Sequence, residues 1–427
     1  MGHRPHAPLE GEGFSIKSRF KMSNRHHPRA RARLVLVGMA LLAACGGDSG
    51  GGVTPPTPEP AVAQATVVGG SGHSCALSRT GVVSCWGRND FGQLGRGAVS
   101  ASISADATPV GGSLRFKALS ANGYATCAIT VADSRVYCWG MYRPSGTIIA
   151  SPVAVLPELA FQSVSVGTRN VCALTTAGDA WCWGENTFYQ LGLGPTATAA
   201  SEGPGAVVGG LRFSAISAGY FHTCAIEQGT GRAFCWGSNS SGQLGVSANS
   251  PCPGSDCSSS PALVAGGLAF ISIATGPTAT CAVTSDGRLF CWGAQLPGFY
   301  SPVNSGTPVA VAGAAGVVLR QVSFAVNAVC ALNTASSVLC MGANESGQLG
   351  RGGWDTLLHH DLTAVSGGRT FALLATGFRH ACATQADGAA YCWGSNAQGQ
   401  LGATPAESCQ NGSCSSVPAP VTIWSND

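Results

Sequence analysis

Residues 222–245 read His-Thr-Cys-Ala-Ile-Glu-Gln-Gly-Thr-Gly-Arg-Ala-Phe-Cys-Trp-Gly-Ser-Asn-Ser-Ser-Gly-Gln-Leu-Gly, and the 427-residue chain repeats this pattern seven times. In each copy a cysteine precedes Ala, and 10 or 11 residues later a second cysteine opens Cys-Trp-Gly, with Met341 the one departure from Trp. The first cysteines of successive copies lie 45 to 57 residues apart. The pairs are Cys75/Cys85, Cys127/Cys138, Cys172/Cys182, Cys224/Cys235, Cys281/Cys291, Cys330/Cys340 and Cys382/Cys392. A period of this length predicts a repeat architecture.

Each copy has the length and turn residues of four short strands. In copy five the turn Ser285-Asp286-Gly287 lies midway between Cys281 and Cys291, as expected for a β-hairpin. Helical periodicity is absent beyond the N-terminal region, and a Gly-Gln-Leu-Gly tail closes copies one, four, six and seven. Seven repeats of four strands predict an all-β fold, a seven-bladed β-propeller of four-stranded antiparallel blades.

The composition excludes several classes of protein. Hydrophobic residues make up 45% of the chain and charged residues 10%, which disfavours disorder, and no apolar run reaches the length of a membrane-spanning helix. Residues 1–44 hold eight of the 23 basic and two of the 20 acidic residues, so the rest of the chain is acidic by three charges. This sign of charge disfavours nucleic-acid binding. Nineteen cysteines favour an oxidising compartment.

The N-terminal region has the features of an export signal. Four arginines between 25 and 33 precede an 11-residue apolar core, residues 34–44, and Leu-Ala-Ala stands directly before Cys45. This resembles a bacterial lipoprotein signal, which predicts a signal peptide at 1–44, with Met22 as a candidate true start, and lipidation of Cys45. The alternative is an ordinary signal peptide. Residues 45–60 are rich in Gly and Pro and predict a flexible, lipidated tether ahead of the propeller at 61–427.

The cysteines can be paired without remainder. The seven repeat pairs lie symmetrically about hairpin turns, where side chains can meet across neighbouring strands. Cys252/Cys257 and Cys409/Cys414 add two short pairs, and Cys45 is the nineteenth cysteine. One pair per blade lacks the grouping of four ligands that zinc sites use, so disulfides are favoured over a metal site.

Two further expectations concern the ring. The C-terminal segment 417–424 matches the Pro-Val strand between copies, so we expect it to complete the blade begun at the N-terminus and thereby close the propeller. Cys252 and Cys409 each lie seven residues after a Gly-Gln-Leu-Gly tail. Equal positions in a repeat predict that both short disulfide loops lie on one face, where they form a candidate recognition surface.

The repeat resembles that of the regulator of chromosome condensation family, in a cysteine-bearing bacterial form, over residues 61–424. The consensus is apolar-Ser-Ala-Gly-x-x-His-x-Cys-Ala, then Cys-Trp-Gly-x-Asn-x-x-Gly-Gln-Leu-Gly, with the histidine at His73, His222 and His380. The resemblance implies a seven-bladed propeller and, from the family's namesake, guanine-nucleotide exchange. A light-sensing branch needs Trp between the Gly and the His, where this chain has Tyr220-Phe221 and Phe378-Arg379. Secreted bacterial relatives that inhibit β-lactamase provide a precedent for a binding role.

No catalytic constellation, cofactor site or metal site can be named from the sequence. The six Trp-Gly tryptophans favour packing between blades over an aromatic binding stripe. The three repeat histidines favour hydrogen-bonded structural roles at blade turns. His359-His360-Asp361, the one dense titratable cluster, is predicted to be a solvated loop.

Three hypotheses for function follow. The leading one is a non-enzymatic module on the cell envelope, at the outer membrane or cell surface, that is monomeric and binds an unknown protein or glycan. Its membrane contact would be the lipid anchor alone. The alternatives are an exchange factor, which the export signal disfavours, and an exported hydrolase or lyase, for which no residues can be named.

Overall fold

The computed structural model describes residues 64–422, apart from 111, 247–250, 253–254, 295–304 and 405–406. The predicted signal peptide, Cys45 and the tether at 45–60 lie outside the described residues. Within the part that is described, no helix is long and apolar enough to cross a membrane. These residues form 30 strands in seven antiparallel sheets, which confirms the predicted seven-bladed propeller.

The first three blades are four-stranded. Blade one contains β1 (Thr66–Gly69), β2 (His73–Leu77), β3 (Val83–Asn89) and β4 (Ser100–Pro109). Blade two contains β5 (Phe116–Asn122), β6 (Ala125–Thr130), β7 (Val136–Gly140) and β8 (Ile149–Val155). Blade three contains β9 (Phe161–Val166), β10 (Asn170–Thr175), β11 (Ala180–Glu185) and β12 (Ala200–Ala206).

Blade four has five strands, and blades five and six return to four. Blade four contains β13 (Phe213–Ala218), β14 (His222–Glu227), β15 (Ala233–Ser238), β16 (Pro251–Cys252) and β17 (Ser255–Leu263). Blade five contains β18 (Phe270–Thr275), β19 (Ala279–Thr284), β20 (Leu289–Gly293) and β21 (Ser305–Ala310), followed by a short 3-10 helix, Ala312–Ala314. Blade six contains β22 (Leu319–Phe324), β23 (Ala328–Asn333), β24 (Val338–Ala343) and β25 (Leu358–Ala364).

Blade seven again has five strands, β26 (Leu373–Thr376), β27 (His380–Thr384), β28 (Ala390–Ser395), β29 (Glu407–Cys409) and β30 (Gly412–Pro420). We call the four common strands A to D in the order in which they occur in each sheet. The A strands of all seven blades line a central cavity of about 180 Å³, so strand A is innermost and strand D lies at the rim. In blades four and seven the additional strands β16 and β29 pair outside strand D.

The repeat tryptophans and the glycines that follow them shape strand C. Gly237 has φ of 101°, and a Cβ there would lie 2.6 Å from the carbonyl oxygen of Phe221, so only glycine fits. The C–D ladder shifts register between Cys235 and Gly237, which leaves Trp236 at a bulge. The six repeat tryptophans are at most 1% exposed, as the sequence predicts.

The hydrophobic core lies at the interfaces between neighbouring blades, which we call seams. Trp139 of blade two packs with Leu94 from the tail of blade one and with Phe116, and similar clusters recur around the ring. Strand B is buried on both faces, as in β6, because a neighbouring blade covers each side. Each blade therefore buries its apolar surface only against its neighbours.

The predicted closure by a shared blade is wrong. The C-terminal strand β30 pairs with β28 of its own blade, and β1 is the inner strand of blade one, so every blade is continuous in the chain. The Pro-Val segment is strand D of the preceding copy, and sequence periodicity alone does not show where a blade begins. Blades seven and one instead meet through side chains, such as Trp86 Nε1, which donates to the Gln400 carbonyl at 3.0 Å.

Candidate binding surface

The two faces of the ring carry different connections. Strand A ends and strand B begins at short turns such as 70–72, and strand C leads into strand D on the same side. We call this side the loop face. The B–C hairpin turns and the D–A connections lie on the opposite face. The longest insertions of the repeat follow strand C, so they belong to the loop face.

Each blade contains one disulfide between directly opposed cysteines of strands B and C, such as Cys172 and Cys182. The bonds are Cys75–Cys85, Cys127–Cys138, Cys172–Cys182, Cys224–Cys235, Cys281–Cys291, Cys330–Cys340 and Cys382–Cys392. Their sulfur-bearing residues are at most 1% exposed, and every bond remains within its own blade.

The two short disulfide loops, residues 252–257 and 409–414, occupy equivalent positions. Cys257 pairs with Ser238 and Cys414 with Ser395, and these serines are the same residue of strand C in blades four and seven. Cys257 and Cys414 therefore both lie near the start of strand D, on the loop face at the rim of the ring. Cys409 and Cys414 are joined, and Cys257 is also disulfide-bonded, whereas the side chain of Cys252 lies outside the described residues.

The one group of metal-type ligands in the described residues is Glu407 with Cys409 and Cys414. Its two sulfurs are bonded to each other, and zinc requires thiolates, so this group offers no thiolate pair to a metal.

The three repeat histidines connect neighbouring blades. Each Nε2 atom lies 2.8–3.0 Å from a hydroxyl of the next blade, in the pairs His73–Thr126, His222–Thr280 and His380–Ser74. Each hydroxyl gives its hydrogen to a glutamine carbonyl of the Gly-Gln-Leu-Gly tail, at Gln93, Gln243 and Gln400, over 2.8–3.1 Å. The imidazole must therefore donate from Nε2, and the histidine roles are structural.

Burial keeps these histidines neutral. All three side chains are fully buried, and desolvation lowers the pKa of His73 and His222 to about 3 and that of His380 to about 4. Nearby His380 also lowers the pKa of His73. A neutral, enclosed imidazole has no access to a substrate, so none of the three is placed for acid–base catalysis.

The hydroxyl groups that bind the repeat histidines were not predicted from the sequence, although the sequence contains a pattern that indicates them. The residue before the first cysteine is Thr or Ser wherever the preceding copy has histidine. Where the preceding copy has Ala instead, this residue is Val or Ala, in the pairs Ala125/Val171, Ala279/Val329 and Ala328/Ala381. Asn170 and Thr223 hold the equivalent positions at the remaining seam, and both amide atoms of Asn170 are buried without a hydrogen-bond partner among the described residues.

The titratable cluster at 359–361 differs from its prediction. It lies in strand β25 rather than in a solvated loop, because the segment pairs with β24. His359 Nε2 lies 2.9 Å from Asp355 Oδ1, and both residues are only partly exposed. Burial opposes the effect, but hydrogen bonds from Asn344, His359 and the Leu357 amide lower the pKa of the Asp355 carboxyl.

An aromatic and arginine cluster covers blades one to four on the loop face. The rings of Phe91 and Tyr124 are 4.5 Å apart, and the Arg88 guanidinium lies 5.4 Å from the Tyr124 ring. Phe188 and Phe221 continue the cluster with centroids 5.1 Å apart. Aromatic and arginine side chains dominate the energetics of protein interfaces, so the cluster suits protein recognition.

The charges of this cluster are balanced within it. Arg88 is paired with Asp90, and Arg169 Nη1 lies 2.7 Å from Glu185 Oε1. The surface therefore has no excess of positive charge to attract a polyanion. Burial raises the pKa of the neighbouring Tyr220 to about 12.

Comparison with known proteins identifies the repeat. The family model "Regulator of chromosome condensation (RCC1) repeat" matches residues 65–93, 161–190, 213–243, 270–295 and 371–400, and a second model of that description matches 177–226 and 387–426. The Ultraviolet-B receptor UVR8 of Arabidopsis thaliana is 27% identical over 78% of this chain. The RCC1 domain-containing protein RUG3 of that plant is 30% identical over 52% of this chain. The matches span 65% and 52% of the lengths of these two relatives.

Solved structures share the fold. Human WBSCR16 superposes with a TM-score of 0.68 at 20% identity, covering 80% of this chain and 94% of its own. Prp20p from Saccharomyces cerevisiae, described with its binding to Gsp1p and histones, gives 0.66 at 19% identity over 79% of this chain and 85% of its own. These structures show the shared fold, whereas the family-model matches and the repeat motif assign the repeats of this chain to the regulator of chromosome condensation repeat family.

Proposed function

We propose that this protein is an exported, lipid-anchored, non-enzymatic module whose loop face binds a protein at the cell envelope. The observation that carries the proposal is the equivalent placement, on that face, of Cys257 and Cys414, the second cysteines of the two predicted disulfide loops. A short closed loop loses little conformational entropy when it binds, which is an advantage for recognition. The aromatic and arginine cluster lies on the same face and favours a protein partner over a glycan.

The location proposed for the protein rests on two features. Blades stabilised by one disulfide each are typical of an oxidising compartment. The sequence before Cys45 supports lipidation of that cysteine, and Gly46 rather than Asp favours sorting to an outer membrane in a host with two membranes. Mass spectrometry of the native N-terminus tests this part, and a soluble product without acyl mass would contradict it.

The binding role is tested with the mature ectodomain, residues 46–427. Proteins retained from envelope extracts would be identified, purified and measured against the wild type and against a variant in which residues 252–257 and 409–414 are replaced by Gly-Ser of equal length. We expect the double replacement to weaken binding at least tenfold while the propeller stays folded. Unchanged binding by a folded variant removes the disulfide loops from the contact surface, and retention of glycan alone contradicts a protein partner.

A further inference from the structure

We propose that an apolar tip on blade six, formed by Trp354, Leu357 and Leu358, is a docking site for a protein whose apolar pocket is bordered by basic side chains. The inference rests on the proposed function and names a part of the loop face that the partner contacts. Neither the disulfide loops nor the aromatic cluster contains these residues.

The tip is exposed to an unusual degree. Trp354 is 42% exposed, Leu358 50% and Leu357 67%, while the six repeat tryptophans are buried. Single exposed apolar residues are common, but a Trp and two Leu within five positions concentrate exposed apolar surface on one short segment. Burial of such a surface in a partner releases water and stabilises the complex.

The base of the tip is fixed by hydrogen bonds. The Asp355 carboxylate accepts from the Leu357 amide at 2.9 Å, from Asn344 Nδ2 at 3.1 Å and from His359 Nε2 at 2.9 Å. The guanidinium of Arg351 donates to the carbonyls of Cys340 and Asp361, both at 2.9 Å. The apolar side chains are therefore presented by an ordered loop, which lowers the entropy cost of docking.

The tip adjoins the disulfide loop of blade seven. The Gly352 amide donates to the Ser416 carbonyl at 2.9 Å, and Asn411 Nδ2 lies 3.1 Å from Ser346 Oγ. A partner seated on the tip would therefore also meet the loop at 409–414. The two features belong to adjacent blades and form one contact region.

The charges around this region select among partners. Asp355, Glu345 and Glu407 contribute carboxylates, with Glu407 joined to the same neighbourhood through the Ser416 amide at 3.2 Å. Arg351 keeps its positive charge while its guanidinium donates to two carbonyls, but the three carboxylates outnumber it. The acidic border opposes an anionic lipid surface and complements basic side chains around an apolar pocket.

Site-specific photo-crosslinking in the producing cells tests the occupant. A photoreactive residue at position 357 is compared with one at Val99, which is 51% exposed and lies in the equivalent connection of blade one. We expect a protein adduct from position 357 that position 99 does not give. A lipid adduct, an adduct with the mass of two copies of this chain, or the same products from both positions would overturn the proposal.

A third photoreactive residue at Gln410, in the disulfide loop, distinguishes failure of the proposed docking site at the tip from failure of the proposed binding function. Adducts from position 410 without any from position 357 leave the proposed function standing and remove the tip. Adducts from neither position contradict both.

The adduct is then checked by affinity, because a captured protein alone is not sufficient evidence. The identified protein is purified and titrated with the wild type, with Leu357→Ser/Leu358→Ser and with the matched control Val99→Ser. We expect the double variant to weaken binding at least tenfold, the control to leave it within twofold, and added salt to weaken binding by the wild type. A loss below twofold in the double variant, or an affinity that does not change with salt, overturns the proposal.

Discussion

The seams beside the histidines and the seams beside alanines join neighbouring blades by different chemistry. We number each seam by the two blades that it joins. Across seams 1/2, 4/5 and 7/1, an imidazole, a hydroxyl and a glutamine carbonyl form a buried hydrogen-bonded chain. Across seams 2/3, 5/6 and 6/7, the same two positions hold only Ala or Val. A polar residue at one position therefore occurs with a polar residue at the other, and an apolar with an apolar. The choice of residue is set by the pair across the seam rather than by the repeat.

Acid should destabilise the propeller more than any of the substitutions below, because it acts on all three polar seams at once. The folded pKa values of the histidines, about 3 to 4, lie below the unfolded value near 6.5. The unfolded chain then binds more protons, so the free energy of unfolding falls as pH falls below 6.5. Between pH 7 and pH 5 we expect a loss of about 2 kcal/mol per histidine.

Urea titration at pH 7, 6 and 5 measures this effect. The control replaces the polar seams by apolar ones, with His73→Ala/Thr126→Val, His222→Ala/Thr280→Val and His380→Ala/Ser74→Ala. If this control keeps the same pH dependence as the wild type, the histidines are not its source.

Breaking one polar seam should cost less than acid. Thr126→Val leaves the His73 Nε2 donor buried without an acceptor, which we expect to destabilise the protein by about 2 kcal/mol. The double variant His73→Ala/Thr126→Val imitates seam 2/3 and should recover part of that loss. A double-mutant cycle by urea unfolding measures the coupling, and additive effects would show that the pair does not act as a unit.

Seam 3/4 can be converted to the polar type. Asn170 has two unpartnered amide atoms, while Thr223 already donates to the Gln190 carbonyl at 2.8 Å, as in the histidine seams. We expect Asn170→His to stabilise the protein by about 1 kcal/mol. Ala125→His is the matched control, since it faces Val171 and should destabilise. Thermal unfolding that ranks the two variants equally would contradict pairing across the seam.

The smallest effect concerns the tryptophan nitrogens. Trp139 Nε1 donates to the Gln93 carbonyl at 2.9 Å, whereas Trp183 Nε1 is buried without a hydrogen-bond partner among the described residues. Replacement by Phe should therefore destabilise position 139 by about 0.5 kcal/mol more than position 183. Equal losses in urea unfolding would mean that the ring alone, and not its nitrogen, matters.

The sequence was sufficient for features that repeat in every copy. Seven cysteine pairs predicted the number of blades, and the Trp-Gly motif predicted the buried tryptophans. Both predictions succeed because the motifs recur in each copy and can be identified within one copy. The position of a blade boundary is not local, and for this reason the role of segment 417–424 was predicted wrongly. The partner of His73 lies 53 residues away, so its identity required the ring to be assembled.

The apolar tip shows a different limit. From the sequence, His359-His360-Asp361 is expected to be a solvated loop, because it lies in the variable stretch after Gly350. Asp355 and His359 in fact fix the conformation of the preceding loop, and Leu357 is its most exposed apolar residue. Composition does not show which side chains of a polar loop face inward.

Because every blade is continuous in the chain and closes its own disulfide, the gene can lengthen or shorten by whole repeats. Unequal recombination between two copies would add or remove one folded unit with both of its cysteines, and no orphan thiol would remain to mispair during export. In a ring closed by a blade that combines N-terminal and C-terminal strands, that blade would form only if both ends of the chain were present. In this protein the covalent unit is the blade, whereas the packing unit is the pair of blades at a seam, so a change in blade number would keep the cysteines paired and would have to match the side chains across a new seam.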